Sequence, residues 1–408
     1  MNRLSKQIPE GMQDTLPGEC RQKRKVEGAL RALFERSGFA EVQTPALEYC
    51  DVFAGGVSGI APEQMYKTFD KNGRILAVRP DNTTPVMRMA VTRMQGAPLP
   101  LRLCYVQDAL KYPARANPRF SQATQAGVEL MGESSAEADA EVIALAVRSL
   151  LSAGLRSFQI DIGQVGFFKG LMEEAGLHED EIEQLRGYVE EKNMLAIELT
   201  LGSKPVSDEV KRRIMRLPQL YGGPEVLDAA QAMSAAPLCQ RALQNLRDVL
   251  SVLSDYGLLQ YVSIDLGMVH AIDYYTGMIL RGITSQLGQP LLSGGRYDLL
   301  AAGFERPMPA VGFALDIKQL LIALERQGEP FDPPVSDVLL AFAPGARAQA
   351  LLLATQLRGE GRSVELCYQR GAEELSALAA QKRARRAVYV DGRGAHDVWK
   401  EGAQAWNP

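Results

Sequence analysis

Two stretches of the sequence concentrate side chains that could do chemistry. In "VHAIDYYTGM", residues 269–278, the adjacent Tyr274 and Tyr275 follow an acid and stand near His270, one of 3 histidines in the chain. In "QATQAGVELMG", Gln125 and Glu129 sit at even spacing, hence on one face of one strand, with Gln122 nearby. A carboxylate on the inner face of a sheet is strongly destabilised unless it meets a donor or a cation. Either that face is exposed, or a ligand carrying such a group meets it. For the two tyrosines, packing alone supports a plainer reading: strand residues, one facing the core and one the solvent.

Other chemistries lack their residues. His178, His270 and His396 are isolated, and Cys20, Cys50, Cys104, Cys239 and Cys367 are scattered without a CxxC pair. No metal site and no disulfide framework is therefore expected. The sequence holds no GxSxG, Walker A or GxGxxG pattern, so hydrolase, P-loop and Rossmann readings have no support. The glycines of "SGGRYD" are read as a turn and the basic run 382–386, "KRARR", as a solvated helix end. A net charge of −4 gives no electrostatic argument for a nucleic-acid backbone as the main partner. With no apolar leader and no run of about eighteen apolar residues, a cytoplasmic protein without membrane spans is expected.

The elements that must position these residues follow from periodicity. At 408 residues, 46% hydrophobic and 23% charged, the chain has room for two or three globular domains. Val26, Ala29, Leu30, Leu33 and Phe34 recur on one helical face that Gly38 stops. Serial strand-like segments follow, from "AEVQTPALEY" to "FSQATQAGVELMG", with turns at Asn72-Gly73 and across "PARANPR"; such an order favours an antiparallel sheet. After a strongly periodic helix at "AEADAEVIALAVRSLLSAG" and an alternating strand at "RSFQIDIG", residues from about 165 to 257 read as a helical insertion. The sheet resumes at "QYVSIDLGMVHAIDYYTGMILRGI", and "MPAVGFALDIKQLLIALERQG" reads as a strand entering a helix. The expected organisation is an α+β core over 1–328, a Pro-rich linker at 329–337 and a small α/β unit over 338–408 in β-α-β-α-β order.

At "IPEGMQDTLPGE", "GFAEVQTPALEY", "VRPDNTTP", "RLCYVQDALKYPARANPRFSQATQAGVELMG", "HAIDYYTG", "SGGRYD" and "PAVGFALDI", the chain resembles histidyl-tRNA synthetase, a class II aminoacyl-tRNA synthetase, over about residues 8–325. The resemblance implies an antiparallel sheet flanked by helices and dimerised through the segment around "GFAEVQTPALEY". It also implies a histidine pocket. Residues matching Asp81, Thr83 and Gln125 hold the α-amino group, those matching Glu129 and Tyr275 read the imidazole, and Tyr274 and Tyr297 line the walls.

The positions that handle ATP depart from that pattern. The arginine that clamps the α-phosphate falls on Lys111, in the triplet Lys111-Tyr112-Pro113, which loses the planar fork and the following glutamate. The adenine-stacking arginine falls on Gln319, and the arginine set against the reacting carboxylate falls on His270. Loss of one such group costs roughly 10²-fold or more in rate, so three replacements imply no amino-acid activation. The segment beyond the linker resembles a shortened anticodon-binding domain, which together with the acidic charge speaks against tRNA handling. These departures resemble most closely the regulatory subunits of short-form ATP phosphoribosyltransferase, synthetase paralogues that join a separate catalytic subunit in a hetero-oligomer for the first step of histidine biosynthesis. The resemblance implies no cofactor, L-histidine as regulatory ligand, and the catalytic subunit and a second copy of the chain as partners. An active synthetase, a stand-alone histidine-binding scaffold and a paralogue aminoacylating another substrate are the alternatives.

Overall fold

A computed structural model describes residues 6–54, 60–112, 121–269, 274–329, 331 and 333–400. The chain begins with α1 (Pro17–Arg36), β1 (Ala40–Glu41), β2 (Leu47–Tyr49), α2 (Asp51–Ala54), β3 (Lys67–Phe69), β4 (Ile75–Val78), α3 (Thr83–Arg93), β5 (Leu101–Leu110) and β6 (Gln122–Met131). It continues with α4 (Ala136–Ser152), β7 (Gln159–Gln164), α5 (Val165–Ala175), α6 (Glu179–Glu190), α7 (Met194–Gly202), α8 (Asp208–Arg216), β8 (Tyr221–Gly222), α9 (Glu225–Gln231) and α10 (Pro237–Asp255). Next come β9 (Val262–Asp265), β10 (Met278–Ile283), β11 (Leu292–Arg296), β12 (Ala310–Asp316) and α11 (Ile317–Arg326). The last elements are β13 (Val338–Phe342), α12 (Arg347–Gly359), β14 (Val364–Leu366), α13 (Ala372–Lys382), β15 (Arg386–Asp391) and β16 (Gly394–Lys400). Two compact units result, 1–15 with 22–330 and 16–21 with 331–408.

The larger unit is α+β, built on a nine-stranded sheet of order β1-β5-β6-β12-β11-β10-β7-β9-β8. Its central pairings are antiparallel, as the serial strand pattern leads one to expect; β1 beside β5 and β7 beside β9 run parallel. Strand β6 is buried at every residue from Ala126 to Met131, so both of its faces are covered. Helix α1 contributes Val26, Leu30 and Phe34, a stripe at i, i+4 and i+8 that is almost wholly buried. Its chain then turns at Gly38, whose φ of +82° suits glycine. The Phe34 ring meets Phe313 of β12 edge-on, with centroids 6.2 Å apart.

Helix α4 starts where Ser135 accepts from the Ala138 N–H, with Glu137 and Asp139 in its first turn, the placement its dipole favours. From Ala138 to Leu150 the helix is buried nearly all round, Glu141 and Arg148 excepted, and α10 packs against α4 and α5. The 165–257 region is helical as expected, except that β8 adds a short edge strand to β9. A separate sheet of order β2-β4-β3 closes its hairpin at Gly73, where Asp70 Oδ1 accepts from the Asn72 and Arg74 N–H groups. Leu47 and Tyr49 of β2 lie opposite Val78 and Leu76 and are each 45% exposed, leaving one apolar face of this sheet without cover among the described residues.

Several readings need correction. Residues 83–85, taken as the end of a strand segment, open α3: Pro85 sits in the first turn, where the missing N–H costs nothing. "SGGR" belongs to strand β11, not to a turn. The run 382–386 is no helix end throughout. Helix α13 stops at Lys382, Ala384 is buried, and Arg386 opens β15.

The smaller unit has sheet order β14-β13-β15-β16, one antiparallel strand beyond the expected β-α-β-α-β. Period-two alternation sends Val338, Leu340, Val388 and Val390 to the α12 side and Leu339, Ala341 and Ala387 to the α13 side. No described helix is long and apolar enough to cross a membrane.

Removing the Phe34 ring deletes fully buried surface behind β12. Phe34→Ala should destabilise the protein by about 3–5 kcal/mol, read as a lower midpoint in urea unfolding followed by circular dichroism.

Candidate functional site

Glu129 has no exposed surface, and its neighbours explain how a carboxylate is held there. On β5, register pairs Leu103 with Glu129 and Tyr105 with Gly127. On the other side β12 sets Gly312 against Glu129. The Tyr105 hydroxyl donates to Glu129 Oε1 at 3.1 Å, and the Tyr297 hydroxyl donates to Oε2. Burial keeps both phenols well above the ordinary tyrosine range, so they stay donors. Space for this arrangement comes from missing side chains. A Cβ on Gly312 would lie 2.0 Å from Glu129 Oε2, and one on Gly127 would lie 2.4 Å from the Tyr105 hydroxyl. Desolvation outweighs the donated hydrogen bonds from Tyr297, Thr83 and Tyr105, and pushes the Glu129 pKa up to about 7.

The second acid is Asp81, placed just before α3. Its Oδ1 accepts from the Thr84 N–H at 2.9 Å and its Oδ2 from the Thr84 hydroxyl at 3.3 Å. Burial raises its pKa, while Thr84 and the positive charge of Lys111 act in the opposite direction. The next residue, Asn82, is fully buried and donates to Gln125 Oε1 at 2.8 Å, which fixes the Gln125 amide beside Asp81. Arg79 holds the approach to this loop. Its guanidinium donates to the carbonyls of Thr44, Pro45 and Asp108 and to Gln107 Oε1, and burial lowers its pKa.

Tyr274 and Tyr275 are not strand residues: they precede β10 in irregular chain, and Tyr275 is 9% exposed. Their rings meet at a steep angle with centroids 4.9 Å apart, and Tyr274 stacks on Tyr297 at 5.4 Å. The adjoining backbone is tied down through Thr276. The Thr276 N–H donates to the Arg296 carbonyl at 2.7 Å, and its hydroxyl accepts from the Asp298 N–H at 3.0 Å. Arg296, itself buried, pairs with Asp139 at 2.7 Å and with Asp298 at 3.2 Å. The "GGRYD" stretch thus braces the aromatic wall from behind. Gly295 adds to this, because a Cβ there would come within 2.9 Å of the Tyr275 ring.

Asp81, Thr83, Gln125, Glu129, Tyr274, Tyr275 and Tyr297 all line one cavity of about 240 Å³, together with Lys111, Gly294, Gly312 and Phe313. That is smaller than the ~300–1,000 Å³ of sites for drug-sized molecules, and suits a small ligand. Lys111 follows β5 and is joined by Tyr112, whose ring stacks on Tyr66 at 3.7 Å; Pro113 lies outside the described residues. Gln319 does not line the cavity. It sits in the first turn of α11, where its N–H donates to Asp316 Oδ1 at 3.0 Å. His270 lies outside the described residues. Gln122 faces away and donates to Asp108. Sequence reasoning missed Tyr105, Asn82, Arg79 and the glycines at 127 and 312. Alternation in "GVE" could have flagged Gly127, on the same strand face as Glu129; the others carry no local signal. Among the described residues, no cluster of His, Cys, Asp or Glu could hold a metal ion. Two acids, an aromatic wall and one cation are groups whose chemistry would complement a small zwitterion that carries a second basic group.

Residues 11–320 match the family described as histidyl-tRNA synthetase. The chain is 44% identical over 358 residues to the ATP phosphoribosyltransferase regulatory subunit of Acetivibrio thermocellus, covering 88% of this chain and 86% of the relative. It is 37% identical to the protein of that name from Ruminiclostridium cellulolyticum, with 96% and 93% covered. Among solved structures, an ATP phosphoribosyltransferase regulatory subunit/histidyl-tRNA synthetase from Bacillus halodurans superposes with a TM-score of 0.85 at 32% identity, covering 95% of this chain and 98% of that one. A histidyl-tRNA synthetase from Nostoc sp. PCC 7120 shares the fold, with a TM-score of 0.81 at 19% identity over 95% and 92% of the two chains.

The raised Glu129 pKa has a consequence for stability. Between the ordinary glutamate value near ~4.3 and about 7, the folded protein holds a proton that the unfolded chain has released. Stability should therefore fall as pH rises through that window, by ~2–4 kcal/mol in all. Urea unfolding of the ligand-free protein from pH 5 to 8 should show this decline, and Glu129→Gln should flatten it. Parallel curves for the two proteins would contradict it.

Proposed function

The chain belongs to the family of ATP phosphoribosyltransferase regulatory subunits, within the histidyl-tRNA synthetase fold, and from that premise we propose that it binds L-histidine to regulate a separate catalytic subunit and performs no catalysis itself. The observation that carries the reading is the convergence of seven residues on one cavity: Asp81, Thr83, Gln125, Glu129, Tyr274, Tyr275 and Tyr297. In this reading Asp81 and Gln125 receive the α-ammonium, Glu129 accepts from an imidazole N–H, and the tyrosines enclose the ring. A carboxyl near 7 facing an imidazole with an ordinary pKa near ~6.5 shares one proton with it, so the pair is charge-assisted over the neutral range.

The same chain has lysine and glutamine, Lys111 and Gln319, where the synthetase resemblance places arginines directed at ATP. Lysine keeps a point charge without the bidentate fork, and a neutral amide supplies no charge to a phosphate. Recognition without adenylation is the outcome. Feedback then follows from linkage: histidine shifts the hetero-oligomer toward a less active state only to the extent that it binds that state better. The uncovered apolar face at Leu47 and Tyr49 supports self-association through the β2-β4-β3 sheet.

Isothermal titration of the full chain should detect histidine binding, and histidine-dependent ATP–pyrophosphate exchange should be absent; robust exchange would instead establish a synthetase. Mixed with the catalytic subunit, the protein should make its activity histidine-sensitive. Tyr275→Ala should weaken that inhibition by roughly 5- to 30-fold, about 1–2 kcal/mol, while the complex still assembles. Tyr49→Asp should lower the mass found by light scattering toward that of a single chain.

A further inference from the structure

The contacts assigned so far address two of the three polar groups of a free amino acid with a basic side chain. Asp81 and Gln125 face the α-ammonium and Glu129 the imidazole, but the carboxylate has no partner among them. The arginine that the synthetase resemblance sets against it falls on His270, a side chain without a fixed positive charge, so a permanent cation for the carboxylate has to come from elsewhere on the cavity wall. Among the described residues lining the cavity, Lys111 is the one cation.

Its placement fits the task. The Lys111 backbone is pinned on both sides: its N–H donates to the Ser121 carbonyl at 2.8 Å, and it forms a lone β-bridge with Met65. Among the described residues its ammonium makes no salt bridge, yet its charge acts on Asp81. The α-ammonium and the carboxylate of an amino acid share one carbon, so the reader of the second must stand beside the reader of the first. Lys111 and Asp81 meet that condition on the cavity wall. The formal charges are complementary as well. Two acids and one lysine leave one negative charge, matching histidine with its ring protonated.

We propose that Lys111 is the carboxylate-reading residue of this cavity, so that the site selects the free amino acid over imidazole amines that lack a carboxylate, such as L-histidinol and histamine. The position thereby serves ligand specificity where the synthetase pattern uses an arginine on phosphate. A lysine suffices, because one carboxylate needs a point charge and not a planar fork. Selection has a physical reason: an analogue without the carboxylate forfeits a charge-assisted contact to the ammonium, which stays hydrated because Lys111 is exposed. The inference rests on the histidine-binding reading above.

Calorimetric titration of the full chain with L-histidine and L-histidinol, in wild type, Lys111→Met and Lys111→Arg, tests it. Wild type should prefer histidine by about 10- to 100-fold, the usual range for a hydrogen bond to a charged group. Lys111→Met should lose most of that preference by weakening histidine alone, with histidinol affinity within about twofold of wild type. Lys111→Arg should restore much of it. A preference unchanged in Lys111→Met, or an equal loss for both compounds, as simple screening of Asp81 would produce, overturns the assignment and leaves histidine binding standing. Failure of wild type to bind either compound overturns the histidine reading itself.

Discussion

A carboxylate without exposed surface inside a nine-stranded sheet is the constraint around which the larger unit is organised. Glu129 lies on β6, between β5 and β12, where water cannot reach it. Two tyrosine hydroxyls satisfy its oxygens, and two glycines on β6 and β12 make room for the oxygens and for Tyr105. These concessions do not cancel the desolvation, as its raised pKa records. A packed apolar residue would serve stability better. In the proposed role, a carboxylate kept under such conditions awaits a ligand that brings a further donor.

The rest of the cavity is held with comparable strictness. Arg79 spends its donors on backbone carbonyls and one amide to set the Asp81 loop, and Arg296 with Asp139 and Asp298 braces the segment carrying Tyr274 and Tyr275. Both arginines are buried and act away from the ligand space. Preorganisation of this kind lowers the ordering cost at binding. In the proposed role it also gives a regulatory ligand a rigid body to act on, since population shift requires a defined difference between states.

Binding and activation separate cleanly on physical grounds. Recognition of an amino acid needs a few complementary groups close to its own charges, and the residues assigned to that proposed task line one cavity of about 240 Å³. Adenylation needs further cations aimed at phosphate, each stabilising charge that develops only during reaction. At 111 and 319 the chain carries a lysine and a glutamine. The two positions part company in the structure: Gln319 on α11 is not among the residues lining the cavity that Glu129 floors, whereas Lys111 lines it and is available to the proposed ligand.

Much of this was legible in the linear sequence, and where it failed the reasons are specific. The stripe of α1, helix α4, the helical character of 165–257 and the strand–helix passage into α11 depend on neighbours within a few residues, so periodicity reveals them. The start of α3 was obscured because Thr83, Thr84 and Pro85 look like strand and breaker residues unless their place in the first turn is known. The glycines of β11 read as a turn because nothing local says that Met278 and Gly312 will press on them from adjacent strands. Residue identities and motif order therefore determined the fold class and the candidate set Asp81, Thr83, Gln125, Glu129, Tyr274, Tyr275 and Tyr297. Only the tertiary structure decided that these side chains share one cavity, that Tyr105 and Gly312 complete the seat of Glu129, and that Lys111 stands beside Asp81 while Gln319 does not. Those facts depend on the register between strands far apart in the chain, and register is a property of the assembled sheet that no local stretch of residues encodes.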